Sequence, residues 1–297
     1  MESSFLYGVN KMKSKKEEAI DRVMQREGTY RCPICHETLQ LSATSLRCEN
    51  NHSFDLAKQG YVHFAGETKE TMYDAILFEA RQNVLQKTML YDRVQVIIDQ
   101  WLEQFESKSI LDVGCGEGTH TARCVKEGRF IAGVDLAKDG IQLAAKTYRK
   151  VEWFVADLAN LPYENESFDT ILNILSPANE REFRRILKEE HLIIKVVPNA
   201  YYLTEIRQAF TNEAIYDAKE THEHIKEKYD VLDAEVVNEK VPFTQDDWAN
   251  LVQMTPLSWH ADAMTVMEFL ESAPATVTID VTVYALRVKR FANEEVV

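Results

Sequence analysis

The chain has 297 residues, 45% of them hydrophobic, and sets 34 Lys and Arg against 48 Asp and Glu for a formal charge of −14. That length allows one full-sized core plus a smaller unit of roughly 60 to 100 residues, and no apolar run approaches the roughly 18 residues of a membrane span. The acidity, taken alone, argues against a surface built to grip nucleic-acid phosphates.

The charge is unevenly spread. Residues 1 to 66 carry nine basic and eight acidic side chains, so the rest of the chain holds −15, and residues 217 to 247 alone contain ten acids and four bases. Such a run reads as a solvated face. The N-terminus has Lys11, Lys13, Lys15 and Lys16 with no apolar stretch behind them, which is not the pattern of a secretory leader. A cytoplasmic protein that does not enter membranes is expected. The five cysteines, three between positions 32 and 48 plus Cys115 and Cys124, suit a metal site in a reducing compartment better than a disulfide framework.

Residues 1 to 29 form a polar extension in which Ala19, Ile20, Val23 and Met24 recur at helical spacing before Gly28, so a short amphipathic helix or a loose arm is expected. Cys32-Pro33-Ile34-Cys35 follows, then twelve residues, then Cys48 and, after three more residues, His52. Two thiolates from one tight turn and a thiolate plus imidazole from a second complete a tetrahedron, which is the donor set of a closed structural zinc site. With all four positions taken by protein, Zn2+ here should hold together a module, residues 30–66, too small to fold on its own core. Its core should be separate from that of the larger unit. The aromatic stretch Phe54 to Phe64 could stack bases or fill the small interior. Residues 65 to 73 read as a linker, and a helical pattern runs from about Asp74 to Phe105 with a break near Tyr91, making 67–106 a helical linker region.

Residues 107–297 read as one α/β domain. Ile110, Leu111, Asp112 and Val113 form a strand that runs into Gly114-Cys115-Gly116-Glu117-Gly118-Thr119 and a helix start. The spacing is G-x-G-x-G, with Thr119 where a dinucleotide loop needs its third glycine, which disfavours an NAD-dependent dehydrogenase. A second strand from Phe130 ends at Asp135, placed to take ribose hydroxyls at the strand's carboxyl end. A third, from Val151, ends at Asp157-Leu158, where the acid can accept from an adenine amino group. Leu161-Pro162-Tyr163, Ser167-Phe168-Asp169 and a fourth strand, Thr170 to Leu175, come next, and alternating Val277, Ile279, Val281 and Val283 read as closing antiparallel strands.

This succession resembles a class I, Rossmann-like, seven-stranded methyltransferase that uses S-adenosyl-L-methionine. The whole chain from about residue 30 to 290 further resembles the RlmA-type methyltransferases, which modify a guanine N1 in a hairpin loop of 23S rRNA and include the tylosin-resistance enzymes. The matching segments are Cys32 to Cys35, His52 to Val62, the helix of Ala80 and Arg81 leading to Tyr91, the loop at 111–118, and Gln253-Met254-Thr255-Pro256-Leu257-Ser258-Trp259. The resemblance implies zinc on Cys32, Cys35, Cys48 and His52, and a cofactor pocket that includes Tyr91, Gly116 and Glu117, beside Asp112, Gly114, Gly118, Asp135, Asp157 and Leu158 from the loop and strand ends. It implies rRNA methylation and admits a homodimer. Three departures stand out: the 30-residue extension, Glu189-Glu190-His191 in place of the family's P-G-G, and Tyr202 where the family has a cofactor-side His.

Methyl transfer from a sulfonium is an in-line displacement that asks mostly for alignment. Asn173 and Ser176, following the fourth strand, are candidates for the target pocket. Trp259 either stacks on a flipped base or belongs to the core. No side chain declares itself as the base that takes the guanine proton. Two other readings remain open: a small-molecule methyltransferase, which suits the acidic surface, and a zinc module on a degenerate methyltransferase that only binds.

Overall fold

The computed structural model describes residues 13–66, 73–211 and 215–289; most of the linker read at 65–73, and Lys11, lie outside them. The chain begins with α1 (Lys15–Gln25), started by a capping box in which Ser14 and Glu17 satisfy each other's backbone N–H groups. Next come three short strands, β1 (Gln40–Ser42), β2 (Ser45–Arg47) and β3 (Ser53–Asp55), paired antiparallel as a small sheet, and a fourth, β4 (Tyr61–His63). Two helices follow, α2 (Ala75–Lys87), capped by Asp74, and α3 (Asp92–Gln104), with the break at Tyr91 where the sequence pattern put it.

The α/β part alternates β5 (Ser109–Val113), α4 (Thr119–Arg123), β6 (Phe130–Asp135), α5 (Lys138–Thr147), β7 (Glu152–Val155), β8 (Phe168–Ile174), α6 (Glu180–Ile186) and β9 (Leu187–Pro198). It closes with α7 (Thr204–Phe210), α8 (Lys219–Lys228), β10 (Tyr229–Pro242), α9 (Gln245–Met254), a 3₁₀ turn at Pro256–Ser258, α10 (Ala263–Glu271) and β11 (Thr276–Val288). Every side chain of β5 is buried, the mark of a parallel strand covered on both faces. The main sheet has the order β10-β11-β9-β8-β5-β6-β7-β4, parallel except that β11 runs antiparallel to both β9 and β10. Reversal of strand order between β5 and β8 opens a crevice at their carboxyl ends, where doubly wound sheets hold ligands.

One expectation needs correction. The catalytic domain supplies the expected seven strands, β5 to β11, but β4, from the zinc module, extends the sheet to eight by pairing parallel with β7 (Tyr61 opposite Trp153, His63 opposite Val155). The module therefore has no core of its own. Tyr30, Leu39, Leu46 and Phe64 share one buried cluster with Phe154, Tyr163 and Phe168, and Tyr30 OH donates to Glu152 Oε1 at 2.7 Å. The aromatics at 54–64 pack inward, Phe64 meeting Phe54 and Phe154 at 4.9 and 5.0 Å between ring centroids. The N-terminal extension is also integrated: Arg22 donates to the Arg149 carbonyl, Arg149 pairs with Glu18, and the Arg26 guanidinium sits 4.2 Å from the Phe130 ring.

Residues 73–105 are likewise no mere linker. α2 packs on α5 and α9, with Asn83 donating to Asn250, and its inner face becomes a wall of the site. Where the family's P-G-G is missing, α6 runs straight into β9. The Val288 N–H donates to His191 Nε2 at 3.0 Å, which fixes the ring's proton on Nδ1, facing the Lys188 and Glu189 carbonyls. The acidic run is divided between α8, which carries Glu220, Glu223 and Glu227, β10 at the sheet's edge, which carries Asp230, Asp233, Glu235 and Glu239, and the first turn of α9. No helix among the described residues is long and apolar enough to cross a membrane.

Candidate metal centre and cofactor cleft

Cys32, Cys35, Cys48 and His52 converge, their ligand atoms all within 4.8 Å of one another. His52 Nδ1 lies 3.5, 3.3 and 3.4 Å from the sulfurs of Cys32, Cys35 and Cys48, and Cys35 and Cys48 sulfurs are 3.6 Å apart. A tetrahedral zinc with bonds of about 2.3 Å to sulfur and 2.0–2.1 Å to nitrogen requires edges of roughly 3.5–3.8 Å, so the four donors fit the ion. Two turns build the site: the His36 N–H donates to the Cys32 carbonyl, the Asn51 N–H to the Cys48 carbonyl, and both His36 and Asn51 take positive φ. A hydrogen bond from the Asn50 side chain pulls the Cys35 thiol down to about 6, and a thiolate is the form that binds metal.

The second site lies in the crevice. The loop after β5 turns on Gly114 and Gly118, both at φ near +80°. A Cβ on Gly114 would stand 2.5 Å from Ser176 Cβ, and one on Gly118 would stand 2.3 Å from the Trp153 ring, so glycine is required twice over. A cavity of about 990 Å³ opens beside this loop, lined by Gly114, Gly116, Asp135, Asp157, Leu158 and the α2 residue Phe78. Asp135 Oδ2 accepts from the Gly116 N–H and Oδ1 from the Ala137 N–H, both at 2.8 Å, while burial raises its carboxyl. Asp157 Oδ1 accepts from the Ala159 N–H.

Other predicted residues sit differently. Asp112 is closed off beneath the loop. Its Oδ2 accepts from Thr121 Oγ1, Oδ1 has no partner among the described residues, and burial pushes the carboxyl up to about 7. Glu117 is buried against Arg81, Oε2 to Nε 2.9 Å, and its other oxygen accepts from the Thr119 N–H. Gly118 packs on Trp153 rather than lining the cleft. The glycine cradle and the strand-end acids Asp135 and Asp157, all lining the cavity, fit a nucleoside carrying an amino-acid tail, the chemistry of S-adenosyl-L-methionine.

A second cavity, about 600 Å³, adjoins the first across a shared wall of Tyr73, Phe78, Arg81, Leu175, Ser176 and Pro177. Tyr91 and Tyr202 line this cavity and not the larger one, their hydroxyls hydrogen-bonded to each other. Tyr202, read from the sequence as standing where the family has a His, therefore faces the smaller cavity and meets Tyr91. Among the target-pocket candidates only Ser176 reaches the cavities. Asn173 is wholly buried behind it, its Nδ2 donating to Ser176 Oγ at 2.7 Å and to the Pro177 carbonyl at 2.8 Å. Trp259 stands one ring back, edge-on to Tyr73 at 5.1 Å between centroids. Sequence reasoning missed Phe78, Tyr73, Arg81 and Lys195 as wall residues. Lys195 had a signal: it is the one charge inside the apolar run Ile193 to Val197.

The folded arrangement matches known proteins in both parts. Residues 30–65 match the family model described as "RlmA, N-terminal", a zinc ribbon, and residues 110–195 match the model described as "Methyltransferase domain". The protein is an S-adenosylmethionine-dependent methyltransferase of class I with an N-terminal zinc ribbon. YxjB of Bacillus subtilis (strain 168), which bears a 23S rRNA (guanine-N(1)-)-methyltransferase name, is 35% identical over 86% of this chain and 96% of its own. The 23S rRNA (guanine(748)-N(1))-methyltransferase of Streptomyces fradiae is 28% identical over 85% of this chain and 94% of its own. The chain belongs to the RlmA-type family of 23S rRNA guanine-N1 methyltransferases. Among solved structures, a SAM-dependent methyltransferase from Thiobacillus denitrificans in complex with S-adenosyl-L-homocysteine is similar at a TM-score of 0.43 and 16% identity over 66% of this chain and 90% of that one, a likeness too weak to bear on function.

Proposed function

We propose that the protein methylates N1 of a guanine in a hairpin loop of 23S rRNA, acting in the cytoplasm where that substrate is found. The observation that carries this reading is the likeness to the guanine-N1 enzymes across the zinc ribbon and the catalytic domain together. Shared methyltransferase motifs alone would fit many substrates.

The two adjoining cavities suit the task. S-adenosyl-L-methionine in the larger one supplies a sulfonium-bound methyl group. The protein's own residues do the rest: Asp135 and Asp157 hold the ribose and adenine ends, Gly114 lets the backbone approach, and Ser176 on the shared wall faces both compartments. A flipped guanine enters the smaller cavity, where Tyr73, Tyr202, Tyr216 and Tyr229 offer ring faces and hydroxyls. Chemistry on a base requires its removal from the stack, and hairpin loops are the cheapest place to do so.

The zinc ribbon is the RNA anchor in this reading. Arg47 and Lys58 are exposed on it, and Arg31 lies close enough to Arg181 and Arg185 to feel both guanidiniums, whereas the chain beyond residue 66 carries a net charge of −15. Because β4 belongs to the main sheet, removal of residues 1–66 would damage the fold, so charge reversal is the cleaner test. A filter assay with labelled cofactor and unmodified 23S rRNA should find that Arg47→Glu with Lys58→Glu lowers methylation and flattens its salt dependence while cofactor affinity holds. Wild-type labelling of a small metabolite but not of rRNA would favour a small-molecule methyltransferase. A homodimer belongs to the same proposal, and sedimentation equilibrium at assay concentrations tests it.

A further inference from the structure

We infer that Lys195 is the base that takes the N1 proton of the target guanine, an inference that rests on the function proposed above. Guanine N1 carries a hydrogen at neutral pH, and the methyl group can bond only when that proton leaves. Lys195 sits on β9 with 9% of its surface exposed, in the wall of the smaller cavity, beyond Ser176 as seen from the cofactor cleft. Its Nζ donates to Asn173 Oδ1 and to the Ser176 carbonyl at 3.3 Å. Asn173 is itself fixed, its Nδ2 spent on Val113 O, Ser176 Oγ and Pro177 O. A neutral amine held by two acceptors keeps its lone pair for a third partner, and a lysine turned to base chemistry needs that form.

No carboxylate among the described residues stands within ion-pair distance of Lys195, which is unusual for a buried lysine. Burial pushes its ammonium down to about 8, opposed only by the more distant Glu180. Besides Lys195, the charged or titratable groups facing the cavity are Tyr73, Arg81 from α2, Tyr91 before α3, Glu180 at the start of α6, Tyr202 and Arg207 at α7, Tyr216, His224 on α8 and Tyr229 on β10. Of these, Arg81 is committed to Glu117, and His224 to Glu180 at 2.7 Å on the exposed rim. Rival bases within the core are closed off: Asp112 lies under the glycine loop, and burial pushes the His120 imidazole down to about 3 away from either cavity.

The step balances. The N1–H bond breaks and its proton passes to Nζ. The N1–C bond forms as the C–S bond breaks, its electron pair staying on sulfur. The products are N1-methylguanine, S-adenosylhomocysteine and a Lys195 ammonium that returns its proton to solvent.

The test uses the full zinc-loaded chain with S-adenosyl-L-methionine and unmodified 23S rRNA. Lys195→Gln and Lys195→Arg should each lower kcat by about 100-fold or more, with cofactor affinity by calorimetry and melting temperature close to wild type. Lys195→Met serves if Gln does not hold the fold. Wild-type kcat/KM should rise with pH and level off above about 8, and the Gln variant should lose that break. Small primary amines should restore part of the activity of Lys195→Ala. Full activity in Lys195→Arg would overturn the inference in favour of a simple cation, and near-normal activity in Lys195→Gln would remove any role. If wild type itself puts no methyl on guanine N1, the proposed function fails first and this inference falls with it, an outcome visible before any variant is made.

Discussion

Tyr30→Phe probes the joint between the zinc ribbon and the catalytic sheet. Tyr30 lies in the ribbon, where the Leu39 N–H donates to its carbonyl, yet its hydroxyl donates to Glu152 Oε1 at 2.7 Å on β7. Tyr163 OH serves the other carboxylate oxygen at 3.2 Å, and all three residues are buried. Burial raises the Glu152 carboxyl, and the Tyr30 hydrogen bond is the chief influence opposing it. Deleting one hydroxyl leaves a buried carboxylate oxygen without its shorter donor, at a cost of about 1.5–3 kcal/mol, the range for hydrogen bonds to charged groups. In a chain of this size that corresponds to a fall in melting temperature of roughly 2–5 °C. Scanning calorimetry run alongside zinc release, followed with a chromogenic chelator, should record both events moving down together as one transition. Zinc release that shifts while the main transition stays in place would refute the shared core, and no shift in either would show that the hydrogen bond contributes nothing.

Three further outcomes follow from the two sites. Metal analysis of protein purified without chelators should find one zinc per chain, with Cys35→Ser losing it; stripping the metal should also weaken cofactor binding, because β4 supports β7 and Asp157 follows β7. Asp135→Ala should weaken S-adenosyl-L-methionine by about 1.5–3 kcal/mol in calorimetry, the range for a lost charge-assisted hydrogen bond, and unchanged affinity would move the ribose contact elsewhere. Asp112, raised to about 7 in the folded state from an unfolded value near 3.9, stays protonated in the fold where the unfolded chain has lost its proton. Stability of the ligand-free protein should therefore fall by about 2 kcal/mol between pH 5.5 and 7.5, and Asp112→Asn should flatten that slope; an equal slope in the variant would assign the effect to another group.

The sequence was legible where local rules govern. Cys-x2-Cys and Cys-x3-His are turns whose spacing dictates donor geometry, and G-x-G-x-G with acids at the next two strand ends follows from where a parallel sheet leaves its crevice. The break near Tyr91 was visible as an interruption of the helical pattern. What could not be read were consequences of long-range pairing. Tyr61-Val62-His63 is too short to announce its partner, so the ribbon's strand in the main sheet, and with it the shared core, appeared only in the fold. Asn173 looked like a pocket residue because polar side chains at strand ends usually are; its three donated hydrogen bonds turn it inward instead. Trp259 was open between pocket and core, and its edge-on contact with Tyr73 sets it behind the wall. Phe78 and Arg81 were hidden because a helix 30 residues before the glycine loop carries no sign that it will cover that loop.

The central claim is methylation of guanine N1 in 23S rRNA, and mass-spectrometric mapping of 23S rRNA from cells with and without the gene tests it most directly. The account predicts one hairpin-loop fragment heavier by a single methyl group, its nucleoside eluting as N1-methylguanosine, present with the gene, absent without it and restored by wild type but not by Asp135→Ala. Identical 23S rRNA maps from the two strains would contradict it.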